Sequence, residues 1–425
     1  MPISRRSTLA LLSSPMWAGA VGAQSGASSA PNLPPGSPAL LDGGDPATGR
    51  LKGVLNDLRG ARPSAGITPS LNIVQMGDSH TSADFFTGRI RRRLQTAFGL
   101  GATGWIAPMP LPGQGHGLIR YDVQGWALTD SRFAESPDFP MAGVIAKPQQ
   151  RGATLRVAYL YPPANAEVAN QPLTMRLLLK REPDQPDSLR ATTAVGSVPI
   201  SIPGDGRWQW LDVRLPMPFT LTADNPGQCA MGGIWLQERP GGVSVSPVGV
   251  NSVVQAQWSK WKHGWALRDL SPGRPDLIIL AYGTNEVLSD WLTMNGMREA
   301  LTEGVRVLRR EVPSAAVMLM TAPDTLAAAA KAGGGGACGG RALARYEGVL
   351  AVQNEVARSE RTLLWNWQTA MGGPCSRAAW EAVEYAAKDG VHLQIKGYEA
   401  SADRFVNDLF AWAGAPAVPL PPERA

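Results

Sequence analysis

The chain has few of the residues that build metal sites and disulfide frameworks. It contains three cysteines and four histidines in 425 residues, and no two cysteines have the close spacing of a metal-binding motif. In an oxidising compartment Cys338 and Cys375 can pair and leave Cys229 alone, while three free thiols are an equal alternative. We therefore expect no metal site.

The chain also lacks a long apolar run and a strong charge. No stretch is long enough to cross a bilayer, and the net charge is only +5, which is too small to indicate a nucleic-acid partner. One basic cluster, Arg89-Ile-Arg-Arg-Arg93, lies in a predicted helix, and a solvated helix face explains it better than a binding site does. We therefore expect neither a transmembrane segment nor a nucleic-acid partner.

The N-terminal residues have the pattern of an export signal. Arg5 and Arg6 precede a weakly apolar stretch that ends at Gly22-Ala23, which is typical of a cleaved leader and similar to the twin-arginine type. Residues 24–68 are rich in Ala, Ser, Pro and Gly and predict a flexible linker with one short helix near 53–59. We therefore expect a signal peptide over 1–23 and a periplasmic or secreted protein.

Two separated parts of the chain alternate between strand and helix patterns. The first has a strand over 71–76, a tight turn and a helix over 84–98. The second has strands over 275–282, 315–322 and 362–367 and helices over 297–310, 341–359 and 398–412. This alternation predicts an α/β fold, namely a parallel sheet flanked by helices on both faces.

Between these parts the pattern changes to short alternating runs separated by Pro and Gly turns. Examples are 154–161, 173–179, 208–215 and 233–238, and such spacing is typical of a β-sandwich. The predicted domains are a hydrolase part over 69–125, an inserted β-sandwich over 126–247, a second hydrolase part over 248–415 and a tail over 416–425. The Ala- and Gly-rich segment 327–340 predicts a mobile loop that can overhang the catalytic face.

Three motifs carry residues suited to acyl-transfer chemistry. Ser79 follows the first strand in Gly77-Asp-Ser79, where a strand-to-helix turn exposes a hydroxyl nucleophile that needs a base. Asp389 and His392 are three residues apart, so one loop can orient the imidazole towards a serine. Asn285 follows a buried strand and can donate to an oxyanion, although a turn or helix-cap role is an equal alternative.

Together the motifs Gly77-Asp78-Ser79, Gly283-Thr284-Asn285-Glu286 and Asp389-x-x-His392 resemble the GDSL/SGNH hydrolases, over about residues 70–125 and 248–412. The resemblance implies that Ser79 is the nucleophile, His392 the base and Asp389 its orienting partner. It implies an oxyanion hole built from Ser79, Asn285 and a backbone N–H of the segment Gly249-Val-Asn-Ser252, given by either Ser252 or Gly249.

The stretch Gly77–Phe86 and the inserted β domain more specifically resemble bacterial polysaccharide O-acetylesterases, which act on peptidoglycan or exopolysaccharide. The resemblance implies an exported serine esterase that removes O-acetyl groups from such a glycan without a metal or organic cofactor, with possible partners in the polysaccharide synthesis machinery. Fourteen tryptophans agree with a carbohydrate-binding insertion, although most are expected in cores. The alternatives are an acetyl transferase on the same glycan, a polysaccharide-binding or assembly protein on a hydrolase scaffold, and a lipase-type carboxylesterase.

Overall fold

The computed structural model describes residues 38–60, 69–134, 138–161, 172–185, 189–225, 229–237, 241–261, 270, 274–333 and 335–421. The strands are β1 (Leu40–Asp42), β2 (Ser70–Gly77), β3 (Gly104–Ile106), β4 (Ile119–Gln124), β5 (Trp126–Asp130), β6 (Val144–Pro148), β7 (Ala153–Tyr159), β8 (Leu173–Arg181), β9 (Leu189–Thr193), β10 (Gly196–Ile200), β11 (Gln209–Leu215), β12 (Phe219–Ala223), β13 (Cys229–Gln237), β14 (Gly242–Gly249), β15 (Leu277–Ala281), β16 (Ala316–Met320) and β17 (Leu363–Trp365). The α-helices are α1 (Thr48–Gly60), α2 (Ser79–Ser82), α3 (Phe85–Phe98), α4 (Thr284–Leu288), α5 (Met294–Glu311), α6 (Tyr346–Ser359), α7 (Trp367–Met371), α8 (Ser376–Ala382) and α9 (Ile395–Trp412).

A six-stranded sheet forms the centre of the α/β part. Its order is β1-β17-β16-β15-β2-β14; β2, β14, β15, β16 and β17 run parallel, and β1 joins the edge antiparallel to β17. Strands β15, β16 and β17 are continuously apolar, as expected where both faces of a parallel sheet are covered. The mixed α/β fold is therefore confirmed.

Each face of this sheet packs on its own set of helices. Alternate side chains of β2, Val74 and Met76, point into a core shared with α5 and α6. Their neighbours Leu71 and Ile73 point into the opposite core, which α1, α3 and α9 complete. Because successive side chains of a strand point to opposite faces of the sheet, the apolar residues of β2 are divided between two hydrophobic cores.

The remaining strands form two antiparallel sheets. One has the order β10-β9-β12-β7-β4, and the other has the order β11-β8-β13-β6-β5 with β3 paired to β13. Both sheets contribute to one apolar core; its fully buried members include Leu155, Leu177, Phe219 and Ile234. These strands leave the parallel sheet after α3 and return to it at β14.

The pairing of the strands sets limits that differ from the predicted domain limits. Residues 104–106 and 119–124 belong to the antiparallel sheets, although they fall before the predicted limit at 126. Residues 242–249 pair in parallel with β2, although most of them fall before the predicted limit at 247. An alternating apolar pattern does not say which neighbour a strand will pair with, so the pattern alone misplaced both edges.

The prediction of a flexible linker is wrong for residues 38–60. Leu40 pairs with Trp365 in the sheet, and Leu51 and Leu55 of α1 are completely buried. In the predicted tail, Val418 is also buried in the same core. The short helix predicted near 53–59 lies within α1 (Thr48–Gly60), which is longer than predicted and is stabilised by tertiary packing.

The segment 327–340, which we predicted to be a mobile loop, is fastened to its surroundings. A disulfide joins Cys338 to Cys375 at the start of α8, and the Leu326 N–H donates to the Gly390 carbonyl at 3.0 Å. Cys229 is a buried free thiol. Of the two cysteine alternatives, the structure has the paired one.

Within the described ranges, no helix combines the length and hydropathy that a membrane span requires. The predicted signal peptide, residues 1–23, lies outside those ranges.

Candidate active site

Ser79 sits where β2 passes into α2 at the carboxyl edge of the parallel sheet. Asp78 caps α2, its side chain accepting the His80 backbone N–H at 2.9 Å. Gly77 has no room for a side chain, because a Cβ there would lie 2.3 Å from Thr81 Oγ1 and 2.6 Å from the Ala281 carbonyl oxygen. This tight turn leaves Ser79 half-buried while Asp78 is buried.

Ser79, His392 and Asp389 form an unbroken hydrogen-bonded chain. Ser79 Oγ lies 3.0 Å from His392 Nε2, and His392 Nδ1 lies 2.7 Å from Asp389 Oδ2. With the Nδ1 hydrogen donated to the carboxylate, Nε2 is free to accept the serine proton. The three residues predicted from the sequence as nucleophile, base and orienting acid are therefore in contact.

The backbone of the loop before α9 holds the Asp389 carboxylate in place. Asp389 Oδ1 accepts the N–H groups of Val391 at 2.8 Å and His392 at 2.9 Å. Partial burial opposes ionisation, but these hydrogen bonds and the one from the His392 side chain outweigh it and hold the pKa of Asp389 well below its ordinary value. Asp389 is thus a carboxylate at any pH at which the site operates.

Behind the nucleophile lies a neutral histidine, His80. Its Nδ1 is 2.8 Å from the Tyr398 hydroxyl, and its ring centroid is 5.6 Å from that of His392. Burial, followed by the positive charges of His392 and Arg377, holds the pKa of His80 well below its ordinary value. His80 therefore packs beside the base without carrying a charge of its own.

Two acidic side chains are buried beneath the site. Burial, with a smaller contribution from the charge of Glu286, raises the pKa of Asp78 to about 7. Burial also raises the pKa of Glu286, whose carboxylate accepts the Gln255 N–H at 2.9 Å and the Gly283 N–H at 2.8 Å. Asp78 and Glu286 thus serve as caps for the turns that carry Ser79 and Asn285.

Apart from Ser79 itself, the predicted oxyanion residues lie on two segments, namely the end of β14 with the turn that follows it, and the start of α4. Asn285, at the start of α4, donates one amide hydrogen to the Val253 carbonyl at 2.9 Å, and the same nitrogen carries a second hydrogen. Ser252 is exposed in a turn with φ of 59°. Gly249 is buried at the end of β14, where a Cβ would lie 2.4 Å from the Ser82 nitrogen.

Residues 112–114, which the sequence analysis did not single out, bind the segment 249–252 through polar contacts. Asn251 Nδ2 donates to the carbonyls of Pro112 at 3.3 Å and Gly113 at 3.0 Å, and its Oδ1 accepts a short hydrogen bond from the Ser82 hydroxyl. With its amide oriented to satisfy both neighbours, Gln114 donates to the Gly249 carbonyl and accepts the Asn251 N–H, each at 3.0 Å. These amides fix the candidate oxyanion segment against the nucleophile turn.

The sequence analysis also missed Arg377. This side chain is completely buried and donates to the carbonyls of Val391 at 3.0 Å and His392 at 2.6 Å. No sequence motif marks it, because its acceptors are backbone atoms of a loop further along the chain. Within the described ranges, no cluster of His, Cys, Asp and Glu could hold a metal ion.

A family model and a solved structure match this chain, and their descriptions agree. Residues 101–220 match the family model described as peptidoglycan O-acetylesterase, N-terminal. A solved structure described as "Peptidoglycan O-acetylesterase in action, 5 min" is 31% identical, with a TM-score of 0.73 over 88% of this chain and 99% of its own.

More distant solved structures are also similar. A putative GDSL-like lipase from Parabacteroides merdae is 14% identical, with a TM-score of 0.30 over 41% of this chain and 73% of its own. A family two carbohydrate esterase from Cellvibrio japonicus is 11% identical, with a TM-score of 0.28 over 70% of this chain and 98% of its own. No curated protein sequence has a significant match to the chain.

Proposed function

The chain belongs to the peptidoglycan O-acetylesterase family and is a carboxylic ester hydrolase, and on this premise we propose that it removes O-acetyl groups from peptidoglycan through Ser79, His392 and Asp389. The observation that carries the proposal is the hydrogen-bonded chain from Ser79 Oγ to His392 and on to Asp389.

In the proposed reaction, Ser79 Oγ attacks the acetyl carbonyl carbon while His392 Nε2 takes the serine proton. The tetrahedral intermediate collapses as His392 returns that proton to the departing sugar oxygen, which leaves acetyl-Ser79 and a free sugar hydroxyl. Water then attacks the acetyl group with His392 again as the base, and acetate leaves. Asp389 keeps the imidazole in the correct tautomer and stabilises its charged form.

Three donors are proposed for the oxyanion: the N–H of Ser79, the side-chain amide of Asn285 and the N–H of Ser252. Ser252 is favoured over Gly249 by exposure, because a donor must be reachable by substrate and Gly249 is buried against Ser82. The left-handed backbone of Ser252, with φ of 59°, also fits a position that glycine occupies readily.

For the two antiparallel sheets we propose a β-sandwich, inserted in an SGNH-type hydrolase domain, that helps to bind the glycan. The common core of the two sheets supports a sandwich, and the matched family model covers residues 101–220, which include strands β3 to β11 and the start of β12.

We propose that the protein acts outside the cytoplasm, where peptidoglycan lies. The Cys338–Cys375 disulfide supports this location, because such bonds persist in oxidising compartments. Replacing Arg5 and Arg6 by lysine should retain the precursor in the cytoplasm if export uses the twin-arginine route. Unchanged export would indicate a general secretory signal, and a mature protein that begins at Met1 would reject processing.

The test is acetate release by the purified mature protein from O-acetylated peptidoglycan, from a small acetyl ester and from a long-chain ester. We expect release from the first two, and Ser79→Ala and His392→Ala should each abolish most of it. The double variant should be little worse than either single one, because the residues act as a unit.

Preference for the long-chain ester would identify a lipase-type enzyme. Transfer of acetyl to an added glycan without acetate release would identify a transferase. If folded Ser79→Ala keeps a tenth or more of wild-type activity, Ser79 is not the nucleophile.

A further inference from the structure

Residues 387–392, the loop that carries the base His392, surround the buried guanidinium of Arg377. We name this segment the catalytic loop. Arg377 donates to three of its carbonyls, those of Ala387 at 2.9 Å, Val391 at 3.0 Å and His392 at 2.6 Å. The same guanidinium lies 3.5 Å from Asp389 Oδ1. One side chain thus contacts the residues at both ends of the loop and the acidic member of the triad.

The catalytic loop has little regular structure of its own to fix its shape. Within the loop, the Val391 and His392 N–H groups donate to Asp389 Oδ1, and the Ala387 N–H donates to the His392 carbonyl at 2.8 Å beside the bridge between Ala386 and Leu393. From outside the loop, the Leu326 N–H donates to the Gly390 carbonyl at 3.0 Å. Without the guanidinium, the Ala387 and Val391 carbonyls would lose the donor described here, and the His392 carbonyl would keep only the Ala387 N–H. Buried carbonyl groups are costly to leave unpaired.

The helix that bears Arg377 is itself held at its start. Cys375 forms the disulfide with Cys338, and Asp324 Oδ2 accepts the Arg377 backbone N–H at 2.9 Å. Glu381 Oε1 accepts Arg377 Nε–H at 3.3 Å and the Arg341 guanidinium at 2.7 Å. The start of the helix that carries Arg377 is therefore held in place. The Glu381 carboxylate on the same helix fixes the orientation of the guanidinium plane.

We propose that Arg377 is a positioning residue for catalysis: it sets the conformation of the catalytic loop and thereby the alignment of His392 with Ser79. The planar fork of arginine satisfies diverging carbonyl acceptors that an ammonium group cannot reach together. The role rests on the proposed function, because it acts through the proposed base.

The structure offers a matched control in Arg93. This arginine is also buried, with 2% of its side chain exposed, and it donates to the carbonyls of Asp403, Pro419 and Val418. Those acceptors belong to α9 and the C-terminal segment, and none is in the catalytic loop. Arg377→Lys and Arg377→Met can therefore be compared with Arg93→Lys and Arg93→Met, which remove a similar interaction elsewhere.

The experiment measures kcat and KM on a small acetyl ester for all four variants, with folding checked by circular dichroism. A misplaced base should lower kcat of Arg377→Met by about 10²-fold. KM should change by less than about threefold, because the residue makes no contact with substrate. Arg377→Lys should fall between Arg377→Met and wild type, and both Arg93 variants should keep kcat within about threefold of wild type.

A second readout is the downfield NMR signal of the proton between His392 Nδ1 and Asp389. It should shift or broaden in the Arg377 variants and stay unchanged in the Arg93 variants. The proposal is overturned if folded Arg377→Met keeps its kcat and this signal, or if the Arg93 variants lose kcat equally. It is also overturned if neither Arg377 variant folds while both Arg93 variants do, since the guanidinium then serves folding. Ser79→Ala, assayed in parallel, separates these outcomes from a failure of the proposed triad.

Discussion

Replacing Asp78 by asparagine should make the protein more stable at alkaline pH. The Asp78 side chain is buried, and its pKa is raised from 3.8 to about 7, first by burial and then by the charge of Glu286. Asparagine keeps the oxygen that accepts the His80 N–H at 2.9 Å, so the cap of α2 is retained. The substitution therefore removes the charge and little else.

The sign and size of the expected stability change follow from the pKa of Asp78, which is 3.8 in the unfolded protein and about 7 in the folded protein. A carboxyl group whose pKa is raised on folding contributes its full stability below pH 3.8 and loses it as the pH rises through about 7. At ~1.4 kcal/mol per pKa unit the complete loss is about 4 kcal/mol, and about 3 kcal/mol of it falls between pH 5 and pH 9. The free energy of unfolding of Asp78→Asn, minus that of wild type, should rise by this amount over that range.

The assay is urea unfolding at pH steps from 5 to 9, followed by the intrinsic fluorescence of the fourteen tryptophans. Asp84→Asn is the control, because Asp84 is equally buried but its pKa is lowered. Burial raises the pKa of Asp84, but the charges of Arg91 and His116 and the hydrogen bonds from Arg91 and Thr87 together outweigh burial. Asp84→Asn should lower stability by a constant amount between pH 5 and pH 9. A difference for Asp78→Asn that stays flat with pH would refute the reasoning.

Three further predictions concern the oxyanion site. Asn285→Ala should lower kcat by about 10²–10³-fold with folding intact, since one oxyanion donor is worth that much; a change below about threefold in kcat on a small acetyl ester would remove Asn285 from the site. Ser252→Gly keeps the backbone N–H and relieves a left-handed conformation with φ of 59°, so activity should be retained and stability raised by up to about 1 kcal/mol. Gly249→Ala should damage both, because its Cβ would lie 2.4 Å from the Ser82 nitrogen, and a fully active, stable Gly249→Ala would contradict the close packing of β14 on α2.

The elements around the triad could be predicted because their signals are local. The helix predicted over 84–98 is observed as Phe85–Phe98, and the strand predicted over 71–76 is observed as Ser70–Gly77. An apolar period of 3.6 or a continuous apolar run depends only on neighbours along the chain. The linker prediction failed for the opposite reason. A short helix near 53–59 was predicted, but the packing of α1 on the sheet, which orders residues 38–60, depends on distant parts of the chain.

The candidate site also contains residues that could be predicted from the sequence and residues that could not. Gly77, Ser79 and the spacing of Asp389 and His392 were recognisable in the sequence because turn geometry and loop length dictate these residue types. Arg377 and Asn251 were not, because a side chain that bonds to distant backbone carbonyls leaves no periodic or compositional trace.

By itself, the sequence determined which side chains can perform acyl-transfer chemistry and that a strand-to-helix turn presents the serine. The tertiary structure alone decided that Ser79 meets His392 across 313 positions of chain at 3.0 Å, and that Arg377 is the cation inside the catalytic loop. It also decided that burial raises the pKa of Asp78 to about 7. The physical reason is that propensity, turn chemistry and spacing act between near neighbours, whereas burial, desolvation and long-range hydrogen bonds exist only after the sheet and its helices have packed.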